Sequence, residues 1–216
     1  RQVVLNLPIV DDLASLRSDR EPQLNEPTVG YIGGVTVNRG ALVVVRAVAR
    51  LREKGVAARF ECLGEVADEV ARDPIFLAGK AEGWLHAPGR VAPREGWPRI
   101  ARCHVGVAVL RPVGNYIESY PTKMFEYMAM GLPVVVSNFS LYREVVERHQ
   151  CGFCVDPDSV DAVTEALFTL LTQPNRAREM GERGKAAVRQ EYSWDIELSK
   201  LQRFYTSLCG DAQGSS

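Results

Sequence analysis

No run of this sequence approaches the roughly 20 apolar residues that a membrane-spanning helix needs, and no signal-peptide pattern is present. Neither sign of charge is in excess: 26 basic side chains stand against 27 acidic ones, a net charge of −1. That balance argues against broad electrostatic binding of nucleic acid or of an anionic membrane. Histidine is scarce, and His86, His104 and His149 have no ligand spacing to one another. The five cysteines (Cys62, Cys103, Cys151, Cys154 and Cys209) are odd in number and scattered through apolar segments, which fits reduced thiols and a cytoplasmic location. Cys151 and Cys154 have zinc or redox spacing, but a zinc site needs two further ligands and no second such pair exists. No Gly-Lys-Ser/Thr occurs, which disfavours P-loop chemistry. Gly30, Gly33 and Gly34 do not fit G-x-G-x-x-G, so a dinucleotide fingerprint is missing too.

What is present is enough for one α/β domain: 216 residues, 46% apolar and 25% charged. The chain opens at Arg1 in the apolar stretch Val3–Pro8, which reads as the end of a preceding domain. Residues 11–27 are polar, contain Pro22 and Pro27, and read as a linker. Thr28–Ile32 is an apolar strand ended by Gly33-Gly34. A helix follows from about Arg39 to Lys54, with Val44, Ala47, Val48 and Leu51 at helical spacing and Gly55 as its stop. Arg59–Leu63 is a second strand ended by Gly64, so the pattern is a βαβ unit of a parallel sheet. Trp84–Val91 is expected to contain a short strand around Gly89–Val91, and a helix is expected over Arg94–Cys103. Val105–Leu110 and Leu132–Ser137 are continuous apolar runs, as in strands buried on both faces. Helices are expected at Thr122–Met130, Ser140–Arg148, Ser159–Leu171 (with Ser159 as N-cap), 176–190 and from Trp194 to Leu208, and a short strand at Phe153–Val155. The tail Gly210–Ser216 is small and polar and is expected to be disordered. The sum is a doubly wound, Rossmann-like parallel sheet over 28–190, with extra C-terminal helices. In such sheets ligands bind beyond the carboxyl ends of the strands.

Two segments at strand ends carry chemistry. Gly33-Gly34-Val35-Thr36-Val37-Asn38-Arg39-Gly40 follows the first strand. Its glycines let a ligand approach the backbone, and Arg39 can make a bidentate contact to a phosphate at a helix N-terminus. The same residues also describe a plain tight turn with a solvated arginine. The second segment runs from Glu118 to Ser137. Its loop Glu118-Ser119-Tyr120-Pro121 feeds a helix whose free N–H groups suit a diphosphate. Glu126, one turn in, can accept two hydroxyl hydrogen bonds, as a ribose diol offers.

Glu118 and Glu126 are separated by seven residues, and the helix ends in Ala129-Met-Gly131-Leu-Pro133-Val-Val. This arrangement resembles the E-x7-E region of the retaining GT-B glycosyltransferases, family four in particular. Gly33-Gly34…Arg39-Gly40 resembles that family's glycine–arginine loop, Cys151–Pro157 its G-x-x-V-x-P strand, and Tyr192-Ser193-Trp194 the start of its final helix. The resemblance covers about residues 28–208. It implies that the chain is the C-terminal, donor-binding half of a two-domain fold. Glu118 would contact the donor sugar near its reacting carbon, as the catalytic residue, and Glu126 would hold the ribose. Arg39 would sit at the phosphate position, beside Gly33 and Gly34. Tyr120, Pro121 and Thr122 would line the pyrophosphate and sugar through their backbones, and the loop after Val91 would face the base, with Trp97 nearby. Gly34 stands where the family usually has an arginine, and Lys123 is placed to substitute for that cation. No cofactor or metal is expected. The implied partners are a UDP- or GDP-sugar and, through a preceding domain, a glycan or lipid-linked acceptor, with peripheral membrane association compatible with the latter.

Other classes remain open at this point. A signalling receiver domain would use Asp11 and Asp12, but it also needs an aspartate after the strand at 105–110, where Leu110-Arg111-Pro112 stands. A donor-like domain serving only interaction, or a nucleotide-sugar epimerase of related fold, would keep much of the same pattern.

Overall fold

The computed structural model describes residues 7–16 and 26–211, with side chains to residue 206. Six parallel strands form one sheet: β1 (Thr28–Ile32), β2 (Arg59–Leu63), β3 (Leu85–Gly89), β4 (Val105–Ala108), β5 (Val134–Ser137) and β6 (Gly152–Val155). Their spatial order is β3-β2-β1-β4-β5-β6. The chain winds from β1 outward through β2 and β3, then crosses back to place β4 on the other side of β1. The register pairs Ile32 with Leu63 on one flank of β1 and Gly30 with Gly106 on the other. The crevice between the carboxyl ends of β1 and β4 is therefore the topological switch point, where doubly wound sheets bind ligands.

Helices cover both faces, as parallel strands apolar on both sides require. Pleating sends alternate residues of β1 and β4 to opposite sides. Val29, Tyr31, Val105, Val107 and Val109 enter one cluster with Val44, Val48 and Leu51 of α2 (Ala41–Glu53) and Leu167 and Leu170 of α8 (Val160–Thr172). Ala108 and Leu110 enter the other, with Ile100 of α5 (Pro93–Ile100), Phe125 and Met128 of α6 (Thr122–Ala129), Val145 of α7 (Ser140–His149) and Val188 of α9 (Pro174–Glu191). Ser159 caps α8 as expected, its side chain accepting from the Ala162 amide at 3.1 Å. The last helix, α10, spans Trp194–Asp211.

Several expectations shift. The stretch read as linker opens with a short helix, α1 (Val10–Ala14), because Val10 and Leu13 are buried against the second cluster. Asp11 and Asp12 are exposed on that helix, not at a strand end, so the receiver arrangement is not formed. Two short helices, α3 (Asp68–Ala71) and α4 (Pro74–Ala81), occupy residues to which no element was assigned. The third strand lies earlier than expected, at Leu85–Gly89. α10 runs into the tail read as disordered, and residues 212–216 of that tail lie outside the described ones.

Candidate functional site

Glycines in the loops beyond the strands shape the crevice. Gly40, the N-cap of α2, has φ +74°, and a Cβ there would lie 1.9 Å from the Val109 carbonyl oxygen. Only glycine lets the start of α2 sit against the end of β4. The loops are then tied together by hydrogen bonds. The Arg111 amide donates to Asn38 O at 2.9 Å, Ser137 Oγ donates to Leu110 O at 2.6 Å, and Tyr142 Oη donates to Tyr116 O at 2.8 Å. Across the switch point, the Ile32 amide donates to Tyr127 Oη at 3.1 Å and so fixes α6 against β1.

An open cleft of about 720 Å³ lies between these loops, within the usual range for small-molecule sites. Gly33, Gly34, Arg39, Val91, Tyr120, Pro121, Thr122, Lys123 and Glu126 all line it. Residues 90 apart in sequence are thus brought together as the motifs implied. Glu118 is different. It is exposed and outside the lining, its amide donating to Asn115 O at 3.2 Å within the loop between β4 and α6. The lining also holds side chains that the motifs did not point to: Glu65, Arg90 and Tyr116.

Two cations converge at the end of β1. A methyl added to Gly33 would meet Lys123 Nζ at 2.9 Å, and both Arg39 Nη1 and Tyr31 Oη at 3.6 Å. One added to Gly34 would lie 3.3 Å from Arg39 Nη1. The bare Gly33-Gly34 pair is what admits both cations, so the glycine at 34 makes room for Arg39. Arg39 Nε donates to Tyr116 Oη at 3.3 Å, and Lys123 Nζ donates to Tyr31 Oη at 3.1 Å. Neither cation is ion-paired with a carboxylate among the described residues. No side chain caps the N-terminus of α6, where Pro121, Thr122 and Lys123 meet the cleft.

The electrostatics follow from that crowding. Burial, and next the Arg39 charge, push the Lys123 ammonium down to about 7, while Glu126 pulls it back. Burial pushes the Glu126 carboxyl up to about 7, opposed by Lys123. Lys123 therefore sits where its own charge is disfavoured and an anion would relieve it. No set of three or more His, Cys, Asp or Glu side chains that could hold a metal ion occurs among the described residues. No described helix is long and apolar enough to cross a membrane.

Comparison with known proteins gives the same picture. A GDP-mannose-dependent alpha-(1-6)-phosphatidylinositol monomannoside mannosyltransferase of Mycobacterium tuberculosis is 28% identical over 189 residues, 82% of this chain and 47% of that protein. The crystal structure of the C-terminal domain of a group 1 glycosyl transferase (LpcC) from Francisella tularensis superposes with a TM-score of 0.71 at 16% identity, covering 86% of this chain and 98% of that one. The Anabaena protein HepE, solved with UDP and glucose, superposes with a TM-score of 0.73 at 16% identity, covering 95% of this chain and 57% of that one. The chain spans about half the length of the curated relatives it matches. The family model for group 1 glycosyl transferases matches residues 26–173, and with the six-stranded sheet of a GT-B C-terminal half around its cleft, the chain belongs to that family.

Proposed function

We propose that this chain binds the donor of a retaining glycosyltransferase, a nucleoside diphosphate sugar, and that the longer protein passes the sugar to a glycan or lipid-linked acceptor. The observation that carries the reading is the pair of cations, Arg39 and Lys123, converging on a bare glycine loop with no ion-paired carboxylate among the described residues. A diphosphate supplies the missing charge. The uncapped amides of α6 add a positive helix end beside it. Glu126, half-buried in the same cleft and with no hydrogen bond to its carboxylate among the described residues, is placed to accept a ribose diol. Val91 and Trp97, which also line the cleft, offer apolar surface to the base. As the leaving diphosphate gains charge during transfer, fixed cations and amides stabilise it without reorganising. The GDP-mannose-dependent relative and the UDP-bound neighbour are both consistent with such a donor. A cytoplasmic location, at the inner membrane face for a lipid-linked acceptor, goes with this reading.

The test is a calorimetric titration with UDP, GDP and their common sugar conjugates, with and without EDTA. One nucleotide family binds saturably, EDTA leaves the affinity unchanged, and Glu126→Ala weakens binding by about 10- to 100-fold, the worth of hydrogen bonds to a charged acceptor. No binding of any nucleotide by folded, full-length protein refutes the reading. Binding without turnover of any donor by the full-length protein favours a donor-like domain that serves interaction alone.

A further inference from the structure

The phosphate end of the cleft contains a residue to which the reading above gives no part. Tyr31 lies on β1 and is only 4% exposed. Its hydroxyl donates to Gly34 O at 2.7 Å. That commits its single proton, so the hydroxyl oxygen can act toward other groups only as an acceptor. Lys123 Nζ donates to it at 3.1 Å. The same ammonium lies 4.1 Å from the centroid of the Tyr31 ring, a cation–π contact. A lysine with no ion-paired carboxylate has a flexible four-carbon stem and much rotamer freedom to lose. Here one residue restrains it twice, and the same hydroxyl fixes the carbonyl of the glycine that makes room for Arg39.

We propose that Tyr31 is the positioning residue of this site, holding the Lys123 ammonium and the Gly33-Gly34 loop where a diphosphate needs them, so that anion binding and protonation of Lys123 are coupled through it. The proposal rests on the donor-binding reading. The groups facing Lys123 are Tyr31 on β1, Arg39 on the turn before α2, Cys62 on β2 and Glu126 on its own helix. In the free protein, burial and Arg39 hold Lys123 down to about 7. A bound diphosphate favours the charged form, so above that pH binding takes up a proton and affinity falls by up to about tenfold per pH unit. Glu126, pushed up to about 7, is mostly ionised at pH 8 in the free protein, and Glu126→Gln removes its share of any proton uptake on binding. Proton uptake at pH 8 that persists in Glu126→Gln is assigned to Lys123. Removing the Tyr31 hydroxyl removes an acceptor that favours the ammonium, and the fall in affinity begins at lower pH.

The experiment is calorimetry of full-length protein with UDP, GDP and inorganic pyrophosphate from pH 6 to pH 9, in buffers of different ionisation enthalpy. Tyr31→Phe is expected to bind within about twofold of wild type at pH 6 and about tenfold more weakly at pH 8. In a Glu126→Gln background, which removes the other group titrating near 7, Lys123→Met is expected to lose the pH dependence, and adding Tyr31→Phe to it changes little. Tyr31→Phe binding that is equally weak at every pH, or equal to wild type at every pH, overturns the positioning role and leaves donor binding standing. Independently of any variant, wild-type binding with no proton uptake at pH 8 also overturns it. No nucleotide or pyrophosphate binding by folded wild type removes the donor-binding reading, and this proposal with it.

Discussion

Lys123 holds its charge against burial and against Arg39, and this has a stability consequence opposite to its binding role. The ammonium is held down to about 7 in the native chain, from an ordinary value of 10.5. Between those two values the unfolded chain binds a proton that the native chain does not, so native stability rises with pH there. Below pH 7 both states are protonated and the native state carries the full penalty of a crowded cation. Lys123→Met should therefore raise the midpoint of thermal unfolding at pH 6, by the order of 1–2 kcal/mol in stability, and should flatten the rise expected above pH 7. Thermal unfolding of both proteins without ligand, from pH 6 to pH 9.5, measures this. A variant less stable than wild type at pH 6 would mean that the Tyr31 contacts outweigh desolvation. The same variant should lose nucleotide affinity, the usual exchange between stability and a strained functional site.

Among the elements, the start of α2 is closely constrained by its neighbour. Gly40 and Gly55 flank this helix, both with positive φ, at +74° and +85°. A Cβ on Gly55 would meet nothing within 4 Å, whereas one on Gly40 would lie 1.9 Å from Val109 O. Gly55→Ala should lose only the left-handed strain, about 1–2 kcal/mol, and Gly40→Ala about 3 kcal/mol or more, because α2 must also withdraw from β4. Urea unfolding of the two variants separates strain from clash, and equal losses would show that the α2–β4 approach is soft. Most of this architecture is legible in the sequence because buried parallel strands read as apolar runs between glycines: Thr28–Ile32 and Arg59–Leu63 begin and end as expected. β3 is misplaced because it is an edge strand with His86 and Pro88 exposed, and so lacks that signature. α4 buries Phe76 and Gly79 but little else, too few for a periodic stripe, although Asp73-Pro74 is a readable start signal, with Asp73 Oδ1 accepting from the Ile75 amide at 3.0 Å. In the site, Arg39, Lys123 and Glu126 are legible as charged residues at strand and helix ends. Tyr31 is not, because a tyrosine inside an apolar strand reads as core until its hydroxyl is seen at Lys123.

At the scale of the whole molecule, every group proposed to hold the diphosphate and ribose comes from the carboxyl end of this chain's one sheet, and the cleft is open above it. Nucleotide binding should then be a property of the chain itself. Transfer should not, because the chain spans about half of its curated relatives and the residue implied at the sugar's reacting carbon, Glu118, stands exposed outside the lining. If Glu118 meets the donor sugar, as the resemblance implies, movement of the β4–α6 loop or the rest of the longer protein must bring it there. Glu118→Gln in full-length protein should accordingly lower kcat by about 10²–10³-fold while leaving nucleotide Kd within about twofold, the pattern of a contact made only as transfer proceeds. The chain alone should bind the same nucleotide within about tenfold of the full-length affinity and form no transfer product. Should the chain alone be folded and fail to bind a nucleotide that the full-length protein holds, the remaining half supplies part of the donor site, and the cation pair at Gly33 is insufficient by itself. Should Glu118→Gln weaken nucleotide binding as much as turnover, Glu118 braces the β4–α6 loop that carries Tyr116 and Pro121, and the reacting carbon is met by another group.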